Sequence, residues 1–131
     1  MTTLNHDTEK KLLASGIEIS YLPGEYLFRY GQKAEFVFYV MNGKICLETP
    51  DDKEYVLENQ SVFLGIDELM NQKKHSFSTH TISNSKFLVY EKNYFLSLIQ
   101  EFGLATNYFE DKLKELDHFF ETTSPKTIQN E

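Results

Sequence analysis

Apolar positions along this chain follow two rhythms, and the change falls near Asn93. Before it come short runs rich in aromatic and aliphatic residues. Glu25–Tyr30 and Phe36–Met41 are strand-like, and Lys44–Glu48 alternates polar with apolar. Pro50-Asp51-Asp52 is a turn signal that introduces a further strand at Glu54–Leu57. Phe77–Ile82 and Lys86–Tyr90 form a pair around Ser83-Asn84-Ser85. Glycines at Gly16, Gly24, Gly31, Gly43 and Gly65 punctuate these runs. Short strands at roughly even spacing predict an all-β sandwich, barrel or jelly roll.

After Asn93 the spacing becomes helical. Phe95, Leu98, Ile99 and Phe102 open a stripe that Ala105, Phe109, Leu113, Leu116 and Phe120 continue. Gly103 interrupts it, which predicts a short helix, a kink and then a long helix. Leu4–Leu13, ending at Gly16, predicts a small N-terminal helix with a glycine cap. From Thr122 to Glu131 there is Pro125 and no core pattern. The expected organisation is a helical segment over 1–14, a β-roll over 15–92, helices over 93–121 and a flexible tail over 122–131.

Composition narrows the class. A length of 131 residues suits one domain, and 40% hydrophobic with 25% charged content belongs to a globular chain. The net charge of −7 makes a poor nucleic-acid binder, because phosphate neutralisation needs clustered Lys and Arg. No apolar run approaches a membrane span, and the N-terminus lacks the apolar region of a signal peptide, so the expected address is the cytoplasm with no membrane partner. Cys46, the single cysteine, excludes an internal disulfide and any Cys-only metal site.

The strand-and-glycine pattern resembles a known family. Leu22-Pro23-Gly24-Glu25-Tyr26-Leu27-Phe28, then Gly31, then Phe38-Tyr39-Val40-Met41-Asn42-Gly43-Lys44-Ile45 is similar to the opening of a cyclic-nucleotide-binding domain. Phe63-Leu64-Gly65 resembles that family's phosphate-binding cassette, and Lys86–Tyr90 with Phe95 resembles its closing strand and helix. The likeness covers about residues 15 to 100, and the long helix after it is similar to the dimerisation helix of Crp–Fnr-type regulators. It implies a mainly β fold, a double-stranded β-helix or jelly-roll β-barrel with a short N-terminal and a long C-terminal helix. It also implies a non-enzymatic sensor module, homodimeric through Phe102, Ala105, Phe109, Leu113, Leu116 and Phe120, with a small-molecule or protein effector.

The same resemblance assigns a ligand site to Gly65, Ile66, Asp67, His75 and Ser76. In ligand-binding members a Glu follows the cassette glycine and accepts the ribose hydroxyl, while an Arg further on neutralises the cyclic phosphate. Here Ile66 follows Gly65, and alignment back from Lys86–Tyr90 sets His75 at the Arg position. A neutral imidazole lacks the fixed charge and forked donors of a guanidinium. Three substitutes stay open: Asp67 for the missing Glu, Lys73 or Lys74 for the charge, and a protonated His75 paired with an anion. Phe119 and Phe120 either cover the pocket or belong to core or dimer contacts. The expectation is no cofactor and no cyclic AMP binding in the usual way.

Two other chemistries are open at this point. A cupin-like metal site needs several converging His and a carboxylate, yet His75 and His80 face opposite sides if they share one strand, and no His-x-His pair occurs. Cys46 reads as a buried or half-buried thiol in an alternating strand. No nucleophile–base constellation, P-loop or dinucleotide fingerprint is present, and metal ligands are expected to be none. The alternative to a stand-alone sensor module without a helix-turn-helix is the truncated N-terminal part of a DNA-binding regulator. On the sensor reading this chain itself binds no DNA.

Overall fold

A computed structural model describes residues 6–58, 60–103 and 106–127; the side chains of 6–8, 106–109 and 126–127 fall outside the description. Helix α1 (His6–Ala14) leads into β1 (Ile17–Tyr21), β2 (Tyr26–Phe28), β3 (Phe36–Asn42), β4 (Lys44–Glu48), β5 (Lys53–Glu58) and β6 (Phe63–Leu64). The short α2 (Ile66–Met70) precedes β7 (Ser78–Thr81) and β8 (Ser85–Glu91). Helices α3 (Lys92–Phe102) and α4 (Thr106–Thr122) follow, and β9 (Lys126–Thr127) closes the described chain. Two antiparallel sheets result, in the orders β1-β8-β3-β6 and β2-β7-β4-β5-β9. This is the mainly β jelly-roll arrangement with helices at both ends, and among the described strands the sheets do not close into a barrel.

The first sheet is covered on both faces, which explains its nearly continuous apolar strands. Phe38, Val40, Phe87 and Val89 point between the sheets and meet Phe28, Ile45, Leu47 and Leu57. Val37, Leu88 and Tyr90 point the other way, onto Leu12 of α1, Leu69 of α2 and Phe95 of α3. Tyr90 carries this second layer further, because its buried hydroxyl donates to the Leu12 carbonyl at 2.7 Å. Burial holds that phenol protonated far above the usual range.

Several expectations meet a different local structure. Strand β1 is absent from the sequence reading because it is an edge strand whose Ile17 and Ile19 are exposed, so it lacks the dense apolar signature of β3 and β8. Gly16 does not adopt a left-handed cap. A Cβ there would lie 2.8 Å from Leu88 Cβ and from the Tyr90 ring, so its smallness lets α1 cross β8 closely. Gly103 does end α3 in the left-handed region, its N–H donating to the carbonyls of Gln100 and Ile99. The tail is not wholly without structure, since Lys126 and Thr127 pair with Glu54 and Lys53 of β5.

Candidate functional site

The site grows from the turn at Gly65, between β6 and α2. Gly65 has φ +96°, and a Cβ on it would approach the Phe36 carbonyl oxygen to 3.0 Å, so glycine is needed for both conformation and space. The turn sends Ile66 into the core at 2% exposure and carries Asp67 and Glu68 onto the next helical positions. Asp67 is a fastener for the loop: it accepts from Asn71 Nδ2 at 2.6 Å and pairs with Lys73 at 2.8 Å. That contact raises the Lys73 pKa. Glu68 turns inward and is only 7% exposed, with Ser76 Oγ donating to its Oε2 at 3.1 Å. Among the described residues no cation lies within pairing distance of Glu68, and Ser76 is its one hydrogen-bond partner.

Ser76 and His75 part company here. The chain bends at Ser76, and the two side chains line different cavities. Ser76 lines a cavity of about 320 Å³ together with Gly65, Ile66, Asp67 and Glu68. His75 lines a different cavity, of about 370 Å³, with Phe28, Gln32 and Lys33. Its ring stacks on Phe28 at 3.8 Å and 12°, it is 3% exposed, and Nδ1 has no partner. Burial lowers its pKa, and the nearby negative charge of Glu68 opposes that only in part. Four of the five residues assigned to the site therefore line one cavity, while His75 packs behind its Gly65 wall, its Cε1 3.6 Å from where a Gly65 Cβ would sit, and opens on the other cavity as a buried core group.

The roof of the first cavity is α4. Leu113, Leu116, Asp117 and Phe120 line it from that helix, and Phe63 and Phe77 from the roll. Phe120 meets Tyr55 edge-on at 4.8 Å and Phe77 at 5.8 Å, while Phe119 is 3% exposed. Lys112 pins the helix to α1 through Glu9 at 3.0 Å and also meets Glu115 at 3.3 Å. Burial works against the Lys112 charge, but the two carboxylates outweigh it and hold its pKa above the usual value.

The described part of the helical stripe expected to form a dimer seam packs on its own chain. Phe102 and Leu113 pack on the helix-side core, and Leu116 and Phe120 on the core between the sheets. Ala105 and the Phe109 side chain lie outside the described residues. The solvent side of α4 carries Glu110, Asp111, Lys114, Glu115, His118 and Glu121, a mostly acidic face. Sequence reasoning also missed Glu68 and Asp117. Glu68 directly follows Asp67 in the cassette, but nothing local says which of the two acids turns inward; Asp117 looks like any exposed helix acid.

Other candidates resolve briefly. Lys74 forms a backbone bridge with Lys33 and is exposed. The chain's one arginine, Arg29, lies 3.7 Å over the Tyr26 ring and does not line the cavity. Cys46 is buried in β4, opposite His80 of β7 and Val56 of β5. Among the described residues no group of three His, Cys, Asp or Glu is arranged to hold a metal ion, and no helix is long and apolar enough to cross a membrane.

Comparison with known proteins places this geometry. The sequence model of the cyclic nucleotide-binding domain matches residues 18–102. No curated protein matches the chain significantly. Among solved structures, the N-terminal domain of a transcriptional regulator from Streptomyces coelicolor A3(2) is similar over 88% of this chain and 85% of its own, with a TM-score of 0.65 at 20% identity. The Thermus thermophilus catabolite activator protein aligns with 90% of this chain, with a TM-score of 0.68 at 20% identity. The c-di-GMP responsive global regulator CLP of Xanthomonas campestris aligns with 88% of it, with a TM-score of 0.59 at 21% identity. The chain spans 59% and 56% of the length of these last two.

Proposed function

The chain belongs to the cyclic nucleotide-binding domain family, and from that premise we propose that it is a non-catalytic effector domain of the Crp–Fnr type. Its output is the position of α4, and its input is occupancy of the cavity beneath that helix. One observation carries the reading: the cassette and α4 wall the same cavity, so any occupant touches both. A filled cavity shifts the helix because packed interfaces repack between discrete arrangements instead of deforming smoothly.

The input is not a cyclic nucleotide held in the family's way. A cyclic phosphate needs a fixed cation, yet the cavity presents the carboxylates of Asp67, Glu68 and Asp117 and is lined by neither Lys nor Arg. Lys73, the nearest substitute, is held by Asp67. Thermal unfolding with and without cyclic AMP checks this point, with no shift expected. Self-association along α4 is restricted to its first half, because the described apolar residues of the second half already face the roll.

The effector reading itself is tested without any ligand. Ser76→Phe places a ring in the cavity, and hydrogen exchange over 110–122 then reports whether α4 responds. A second reading, the N-terminal part of a DNA-binding regulator, is favoured by the share of the two longer regulators that this chain spans. The reading frame following codon 131 decides it.

A further inference from the structure

Resting on the effector reading, we propose that the cavity under α4 binds a small organic cation, an amine whose ammonium group sits on Glu68 and whose apolar body lies among Phe63, Phe77 and Phe120. The argument starts with Glu68. This carboxylate is more than nine-tenths buried, lines the cavity, and has no direct ion pair among the described residues; Lys73, whose ammonium feels its charge, is paired with Asp67 instead. Ser76 holds one oxygen, Oε2, which fixes the side chain, and among the described residues none donates to Oε1. A largely buried carboxylate that lacks a direct ion pair gains from a ligand cation that supplies one.

The surroundings select the class. Asp117 brings a second carboxylate from the roof, on the opposite wall from the cassette. Asp67 also lines the cavity, but Lys73 and Asn71 already engage it, so among the described residues the lining carboxylates without an ion pair are Glu68 and Asp117. Such a field repels phosphates and carboxylates. A bare metal ion is disfavoured, since no group of three His, Cys, Asp or Glu is arranged to hold one among the described residues. What remains is a cation with an apolar body, because three phenylalanine rings share the cavity and ring faces attract ammonium groups. A volume of about 320 Å³ fits a single compact ligand of this kind. With Glu68 on the cassette and Asp117 on α4, a cation in the cavity is attracted to both walls and draws the helix onto the roll.

The test uses three probes of one shape and different charge: benzylamine, benzyl alcohol and benzoate, titrated calorimetrically into the full chain. Benzylamine is expected to bind at about millimolar affinity, as suits so small a ligand. The alcohol and the benzoate are expected to bind at least about tenfold more weakly. Glu68→Gln keeps the shape and the Ser76 contact and is expected to weaken benzylamine at least about tenfold. Asp117→Asn, on the helix surface, cannot disturb folding in the same way and is expected to weaken it about threefold. Preference for benzoate or cyclic AMP, affinity unchanged in both variants, or no saturable binding of benzylamine each overturns the proposal. None of these outcomes bears on the exchange response to Ser76→Phe, so the cation assignment and the effector reading fail separately.

Discussion

Replacing His75 by Phe should stabilise this domain, although the resemblance to ligand-binding relatives sets His75 at a functional position. The imidazole is 3% exposed, stacked on Phe28 at 3.8 Å, and its Nδ1 has no hydrogen-bond partner. An unsatisfied buried polar atom costs about 1–3 kcal/mol, and Phe removes it while keeping the stack. The larger ring adds strain, for which volume-changing core swaps suggest a penalty of about 1 kcal/mol. The net expectation is a gain of about 1 kcal/mol at neutral pH, or about 4 °C in Tm for a chain of this size. Acid sharpens the contrast. The unfolded chain takes up the His75 proton near the ordinary value of 6.5, and the folded chain only at lower pH. Between those two values the unfolded state binds more protons, so wild-type stability falls as the pH drops through that window. The variant lacks this loss. Urea unfolding of both proteins at about pH 7.5 and about pH 5.5 reads both effects, because the linkage term is about 1.4 kcal/mol per unit of pKa difference. A destabilised variant, or an identical acid response in the two proteins, would refute the placement of His75 as a neutral core group.

Three further predictions probe the frame around the site. Tyr90→Phe removes the 2.7 Å bond to the Leu12 carbonyl and should cost about 1 kcal/mol while speeding hydrogen exchange in α1; unchanged α1 exchange would contradict the contact. Leu116→Glu should cost about 2–3 kcal/mol in urea unfolding and leave the sedimentation coefficient as in wild type, because Leu116 faces the roll; a change of oligomer without loss of stability would return it to a dimer seam. Gly43→Ala should cost about 2–5 kcal/mol, since φ is +112° and a Cβ there overlaps Ser85 Oγ and lies 2.8 Å from its Cα. Ser85→Ala should not rescue that variant, as the Cα remains.

Much of the fold is written in local sequence. Strands β3 and β8 are dense apolar runs because helices cover one face of their sheet and the second sheet covers the other. Gly103 announces the break between α3 and α4, and the structure puts it in the left-handed region that ends α3. Periodicity identifies the apolar face of α4 but not its partner. The same stripe of Leu113, Leu116 and Phe120 would suit a second copy or the chain's own roll, and only tertiary packing distinguishes them. The site shows the same division. Gly65, Ile66, Asp67 and Ser76 are found from their spacing around the cassette turn. His75 is found by the same spacing, but the spacing does not signal that its ring opens on the neighbouring cavity behind Gly65. Glu68 and Asp117 line one cavity from elements distant in the chain, and no local pattern signals that they share it.

The most direct measurement of the central claim is hydrogen exchange on the Ser76→Phe variant. If the cavity is the input and α4 the output, amides of 110–122 should exchange at least about tenfold faster than in wild type, while those of β3, β4 and β8 stay protected. Equal protection of α4 in the two proteins, with the ring accommodated and the strands intact, would contradict the coupling of cavity to helix.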